Sequence, residues 1–301
     1  MLVQCVPNFS EGRDPERLSR LQAAAQATAN VRILGFEGDA DHHRSVMTLA
    51  GDGEAVLDAV FRTAAVAVAM IDLREHRGVH PRMGAVDVIP FVPLANTPME
   101  YAVDLARRLG ERIGRELAVP VYLYEFAATR PERRNLADVR RGGYAALQAR
   151  MARDAPDFGP GTPHFTAGAV AVGARRPLIA FNVYLNTQDP TIADRVARAV
   201  RGSSGGLVGV KALGMDTVTQ GQVQVSMNLV DYPKTSLPAA VEMVRREAAR
   251  FGASVTRTEL VGFLPVSAAV DSLRYYLQLS DFDSSRILEM ALAYEPSGPR
   301  E

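Results

Sequence analysis

One succession of local structures occurs twice along this chain, and few architectures accommodate it. Residues 2–6 are a short apolar run that stops at Pro7-Asn8, which reads as a strand followed by a loop. Asp14-Pro15-Glu16 then opens a helix. Asp14 can cap the free amides, Pro15 suits the first helical position, and Glu16 favours the positive end of the dipole. Strands are expected at 32–36 and 45–50, a largely apolar helix at 53–71, and another strand at 85–92. The order is β-α-β-β-α-β. It returns from residue 178: a strand at 178–185, a helix from Asp189-Pro190, strands at 208–213 and 222–229, a helix at 237–251 and a strand at 254–260. The expectation is an α+β protein of two ferredoxin-like α/β sandwich subdomains, residues 1–176 and 177–301, flanking a cleft. A length of 301 residues suits two domains.

Between the repeats, Thr97-Pro98-Met99-Glu100 reads as a capping box that opens a helix to about residue 117. A strand follows at 121–124. The arginine-rich stretch 130–153 reads as partly helical, with its arginines on a solvated face. Residues 156–163 (PDFGPGTP) alternate prolines and glycines too densely for regular structure. A strand is expected at 169–172.

The 34 basic and 34 acidic side chains balance, which argues against coating nucleic acid by bulk charge. The longest apolar run, at 64–71, is far short of the ~20 residues a membrane span needs. The opening MLVQCVPNF is interrupted by Pro7 too soon for a signal-peptide core. A single cysteine, Cys5, allows no intramolecular disulfide and no cysteine-clustered zinc site, and fits a reducing cytoplasm. Neither a membrane nor nucleic acid held by bulk charge is therefore the expected partner.

No dinucleotide-binding or P-loop glycine pattern and no nucleophile elbow is present. The five histidines are more informative. His42 and His43 lie in a segment with Asp39 and Asp41, and His76 and His80 are four apart, a spacing that suits two metal ligands on a helix. Gly78 and Pro81 oppose a helix there. A metal-dependent amidohydrolase built on His42, His43, His76 and His80 is the alternative reading, and no metal is expected. His80 stands in a Gly/Pro loop between Arg77 and Arg82, just before an apolar strand. Such a loop can present a catalytic group, and neighbouring arginines keep an imidazole neutral and can clamp a carboxylate.

Several segments together resemble a known family. They are 3–12 (VQCVPNFSEG), 76–87 (HRGVHPRMGAVD), 120–124 (PVYLY), 156–160 (PDFGP) and 178–182 (LIAFN). The chain is similar to glutamate formimidoyltransferase, the folate-dependent formiminotransferase of histidine degradation, in register from Val3 to about Ala268. The resemblance implies two α/β subdomains around a cleft, usually in a homodimer. It implies transfer of a formimidoyl group between N-formimidoyl-L-glutamate and tetrahydrofolate, the latter as co-substrate. It places the catalytic histidine at His80 and an acidic partner at Glu37. Val79 stands where relatives carry Glu. The folate-binding loop falls on Gly159, Pro160, Gly161, Thr162, Pro163, His164, Phe165, Thr166, Ala167 and Gly168. Asn8 and Ser10 at the end of the first strand, with Arg44, Arg77 and Arg82, are the expected substrate-binding residues. A folate-binding protein without transferase activity is a third reading.

Overall fold

The computed structural model describes residues 1–40, 42–77, 82–217 and 221–293. The chain divides into two compact units, Met1–Arg176 and Pro177–Glu301. The first contains β1 (Leu2–Cys5), β2 (Asn8–Phe9), α1 (Pro15–Gln26), β3 (Val31–Asp39), β4 (Arg44–Asp52), α2 (Gly53–Met70), β5 (Val86–Pro93), α3 (Met99–Glu116), β6 (Val121–Glu125), α4 (Leu136–Val139), α5 (Gly143–Met151) and β7 (Val170–Ala174). Its strands form one sheet. β1 and β2 share a lane between β4 and β5, β3 pairs with the far side of β4, and β7 and β6 extend the sheet beyond β5. The β5–β7 and β7–β6 pairings are parallel and the others antiparallel.

The two faces of this sheet are packed differently. Cys5, Met47, Leu49, Ile89, Phe91, Leu123 and Val172 point into an apolar core with α1, α2 and α3. Adjacent positions Val88, Tyr122, Tyr124 and Ala171 point the other way, against Val139, Leu147 and Met151 of α4 and α5. This is the period-2 alternation of a strand covered on both sides. Cys5 is fully buried, and burial pushes its thiol well above the usual range.

Two expectations from the sequence are corrected here. Thr97 does not cap α3: its hydroxyl donates to the Leu2 carbonyl, and Pro98 occupies the N-cap position without a side-chain bond. The arginines of 130–153 are not one solvated face. Arg133 is 3% exposed, is paired with Asp154 and Asp157, and lies over the Tyr122 ring with Arg150. The reason is local supply of countercharge: Asp154 and Asp157 fold back onto the segment. Arg130, Arg134, Arg141 and Arg153 do remain exposed.

The second unit contains β8 (Ile179–Leu185), α6 (Pro190–Val200), β9 (Val210–Thr217), β10 (Gln222–Leu229), α7 (Leu237–Ala249), β11 (Val255–Val261), α8 (Val266–Leu277) and α9 (Leu288–Ala293). Its antiparallel sheet runs β11-β8-β10-β9. Val223, Val225, Met227 and Leu229 of β10 enter the core with α6 and α7. The opposite face is polar. Asn182 and the Tyr184 hydroxyl both donate to Glu259, and Arg257 stacks on Tyr184. Lys211 is exposed, and Lys234 pairs with Asp231 at the surface.

The second unit runs β-α-β-β-α-β before α8 and α9, whereas the first opens with two strands, β1 and β2, ahead of α1 and continues after β5 with α3, β6, α4, α5 and β7. The approach to β5 is the tightest junction described. A Cβ at Gly84 would stand 2.0 Å from the Ala169 carbonyl oxygen, with backbone on both sides. Gly84→Ala should therefore lower the thermal midpoint sharply or prevent folding. Gly161→Ala, whose Cβ would meet nothing within 4 Å, should leave it unchanged. Thermal unfolding followed by circular dichroism compares the two, and equal midpoints would show that the junction can relax.

Candidate functional site

Gly84 is absent of side chain because two segments close on it. Ala169 donates to the Met83 carbonyl and Ala85 to the Ala167 carbonyl. From the other side Ser10 donates its hydroxyl to the Gly84 carbonyl at 2.8 Å. The Tyr144 amide at the start of α5 reaches the Arg82 carbonyl at 2.8 Å. Residues 82–87 are thus fixed by three parts of the first unit.

The register then slips. Asn8 of β2 pairs with Val88 and Phe9 with Val86, so one step on β2 spans two on β5. Such a bulge re-aims a side chain. Val86 stays in the core beneath the helices, while Val88 belongs to the opposite cluster. Asp87, the residue between them, is wholly buried. Its Oδ1 accepts the Met83 amide at 2.8 Å. Its Oδ2 accepts Arg44 Nη1 at 2.7 Å and lies 2.6 Å from Arg140 Nη2. Arg44 also donates through Nε and Nη2 to Asn8 Oδ1, at 3.2 and 2.9 Å, and Asn8 Nδ2 donates to the Val6 carbonyl. Burial holds the Arg82 and Arg140 guanidiniums below their usual range. Asp87 opposes that shift and the neighbouring Arg44 adds to it. One carboxylate therefore serves a cluster of several cations, a setting suited to an incoming anion.

A second buried carboxylate lies nearby in sequence. Glu11 is 2% exposed, and its Oε1 accepts the amides of Gly12, Arg13 and Asp14. Its Oε2 pairs with Arg17 at 3.1 Å. His43 Nε2 lies 3.1 Å from Oε1 and His43 Nδ1 lies 3.0 Å from the Arg77 carbonyl. Both partners are acceptors. Burial works to raise the Glu11 carboxyl. The Arg13 and Asp14 amides, His43 and Arg17 outweigh it and hold the group below the ordinary glutamate range. His43 stacks on His76, ring centroids 3.9 Å apart and planes 18° apart. Arg82 Nη1 is 2.8 Å from His76 Nε2. The His43 carbonyl oxygen is 3.0 Å from the same nitrogen; with the lone pair on Nε2 the ring accepts from Arg82, and with the proton there it donates to the carbonyl.

The expected site residues divide. Asn8 and Arg44 meet directly. Ser10 is buried and its hydroxyl turns inward to Gly84 rather than outward. Glu37 is exposed on β3, opposite Val46, which is also opposite Asn8; the three share a sheet face. Arg77 is exposed and folds back onto the Arg74 and His76 carbonyls. Val79 and His80 lie outside the described residues.

In the expected folate loop, Gly159, Pro160, Gly161, Thr162 and Phe165 are exposed, Pro163, His164 and Thr166 are half-buried, and Ala167 and Gly168 are buried. Gly159 (φ +84°) packs against the Val119 carbonyl and Gly114 of α3. His164 Nδ1 accepts the Ala167 amide at 3.0 Å, which turns the loop on itself. Arg74 lies over the Phe165 ring at 4.1 Å.

The alternative metal reading finds little geometry. His43 turns its two ring nitrogens to the Glu11 carboxylate and the Arg77 carbonyl, and the stacked His76 turns Nε2 to Arg82, so the pair does not converge on one point. His42 Nδ1 is held by Asp39 at 2.7 Å. Among the described residues no group of three or more His, Cys, Asp or Glu is placed to share an ion; Asp41 and His80 lie outside them.

Sequence reasoning missed Glu11, Asp87 and Arg140 as members of the site. A signal existed for Asp87: it is an acid inside the apolar run 85–92. Arg140 gave none, because its neighbours 134 and 141 are exposed.

Residues 2–175 match the formiminotransferase domain, N-terminal subdomain, and residues 180–292 match the formiminotransferase domain. The chain is 48% identical over 292 residues to a glutamate formimidoyltransferase of Thermoplasma acidophilum, covering 96% of each. It is 44% identical to one of Streptococcus pyogenes, covering 96% of this chain and 97% of the relative. It is 38% identical to the formimidoyltransferase-cyclodeaminase of Rattus norvegicus, covering 91% of this chain and 52% of that protein.

A carboxyl held low stabilises the fold above its unfolded value, and that contribution is lost as pH falls through the lower folded value. Glu11→Gln should therefore unfold about 1.5–3 kcal/mol more easily at neutral pH, with the gap closing below about pH 4. Urea unfolding across pH measures this. A gap that stays constant into acid would show that the charge contributes nothing.

Proposed function

Because the chain belongs to the formiminotransferase family, we propose that it is a glutamate formimidoyltransferase. It moves the formimidoyl group between N-formimidoyl-L-glutamate and tetrahydrofolate, in the histidine-degrading, one-carbon chemistry of the cytoplasm. The observation that carries the reading is the cluster of Arg44, Arg82 and Arg140 around the buried carboxylate of Asp87. Glutamate brings two carboxylates, and the folate tail brings more. A guanidinium fork recognises such a group in two-pronged fashion.

The reaction joins an amine nitrogen of tetrahydrofolate to the amidine carbon and breaks the bond from that carbon to the glutamate nitrogen. One proton leaves the attacking nitrogen and one arrives on the departing nitrogen. His80, as a neutral imidazole, takes the first and returns it as the second. Holding the two reactants in contact supplies much of the remaining acceleration. Glu37, on the sheet face shared with Asn8, is its acidic partner in this scheme. The loop 159–168 holds the folate, and its exposed Phe165 suits an aromatic ligand.

Support for a homodimer comes from the second unit. Phe263, Tyr275, Leu277, Leu288 and Leu292 are exposed in and around α8 and α9. Exposed apolar side chains along one stretch of chain suit an interface.

His80→Ala should lower kcat about 10²–10⁴-fold with the circular dichroism spectrum and thermal midpoint unchanged. The assay uses N-formimidoyl-L-glutamate and tetrahydrofolate and follows the folate product spectroscopically. Full activity in that variant would remove His80 from the mechanism. Activity that disappears on chelation with loss of a stoichiometric ion would favour the metal-dependent amidohydrolase instead, and tight folate binding without product would favour a binding protein.

A further inference from the structure

We infer that Asp87 is a positioning residue of the proposed reaction, and that its two oxygens do separate jobs. Oδ2 aims the arginines that grip the substrate carboxylate. Oδ1 holds the backbone stem three residues after His80. The inference rests on the formimidoyltransferase reading.

The division follows from the contacts. Oδ2 meets Arg44 and Arg140, and Oδ1 meets the Met83 amide. Asp87 is 0% exposed, so no water can replace either partner. Arg44 is oriented at both ends, by Asp87 through Nη1 and by Asn8 through Nε and Nη2. A guanidinium has five N–H groups, and the two not used in these bonds belong to Nη1 and Nη2. The arginine is thereby pre-set, with donors left for an anion, before any ligand arrives. The Arg44 side chain is 13% exposed, so it is shielded from bulk water while keeping some access.

The charge and the geometry predict opposite effects of losing Asp87. Were the acid only a partial neutraliser, removing it would strengthen the positive field, and a carboxylate substrate would bind more tightly. If it sets direction, removing it lets Arg44 and Arg140 separate, and binding weakens. An asparagine at this position tests the arginine arm alone. Its carbonyl oxygen stays on the Met83 amide, because that backbone N–H is fixed between β5 and the Ala169 bond and cannot turn away from an NH₂, whereas the two guanidiniums sit on side chains that can swing aside. The NH₂ then faces the two guanidiniums, donor against donor.

Asp87→Asn should raise KM for N-formimidoyl-L-glutamate about tenfold or more while kcat changes less than about threefold. Asp87→Ala cuts both arms and should lower kcat as well, by about tenfold or more. Arg140→Met, which removes one partner and leaves the carboxylate, should repeat the KM rise and keeps the test in force if neither Asp87 variant folds. An unchanged or lowered KM in folded Asp87→Asn, or in Arg140→Met where no Asp87 variant folds, overturns the inference. So does identical kinetics in Asp87→Asn and Asp87→Ala. Calorimetric titration with L-glutamate separates this from failure of the reaction itself. Wild-type protein that binds L-glutamate about tenfold or more tighter than Asp87→Asn, yet turns over no substrate, supports the role of Asp87 and sinks the transferase. Wild-type protein that does not bind L-glutamate sinks the role of Asp87.

Discussion

A carboxylate cut off from water must find its entire solvation shell within the protein, or it will not remain ionised. Asp87 does so with one backbone amide and two guanidiniums. That requirement draws together β4, the approach to β5 and the end of α4, which are otherwise distant along the chain. Glu11 solves the same problem differently, with three successive amides and Arg17. One carboxylate organises side chains and the other organises a turn. Between them they fix Arg44 and His43, neighbours at the start of and just before β4.

The sheet explains why these groups share a region. One face is wholly committed to α1, α2 and α3, and apolar residues fill it. The other is covered by α4 and α5 only where Val88, Tyr122, Tyr124 and Ala171 lie. Asn8 and Arg44 belong to the strands beside that cover, and Arg140 follows directly from α4. Polar residues can occupy such a margin, since it is shielded enough to strengthen charge pairing while Arg44 keeps some exposure.

Much of the fold was legible because strands and helices announce themselves by period. Val223 to Leu229 alternate cleanly, and the structure places each apolar member in the core. Asp14 and Asp189 cap their helices as their positions ahead of proline predict. Thr97 looked the same and failed, because the helix begins at Met99 with Pro98 in the N-cap position, which leaves Thr97 one residue outside and its hydroxyl on the Leu2 carbonyl. The site was legible as a group of segments, not as contacts. Asn8 and Arg44 could be nominated singly, but their bond depends on strand register. Asp87 reaches them only through a bulge, and a one-residue slip leaves no mark in local periodicity. Arg140 became part of the cluster through the path of a chain segment that no local rule describes.

The polar residues joined at Asp87 are contributed in the order Asn8, Arg44, Asp87, Arg140, and this matters during synthesis. A nascent chain that has emerged only as far as β5 already contains the acid and one of its two cations, but not the other. β7, the parallel partner of β5, emerges later still. No intermediate on the ribosome can complete this ion cluster or close this edge of the sheet before α4 and β7 are both free, so the amino-terminal unit must mature late, by long-range closure rather than by growth from its first hairpin.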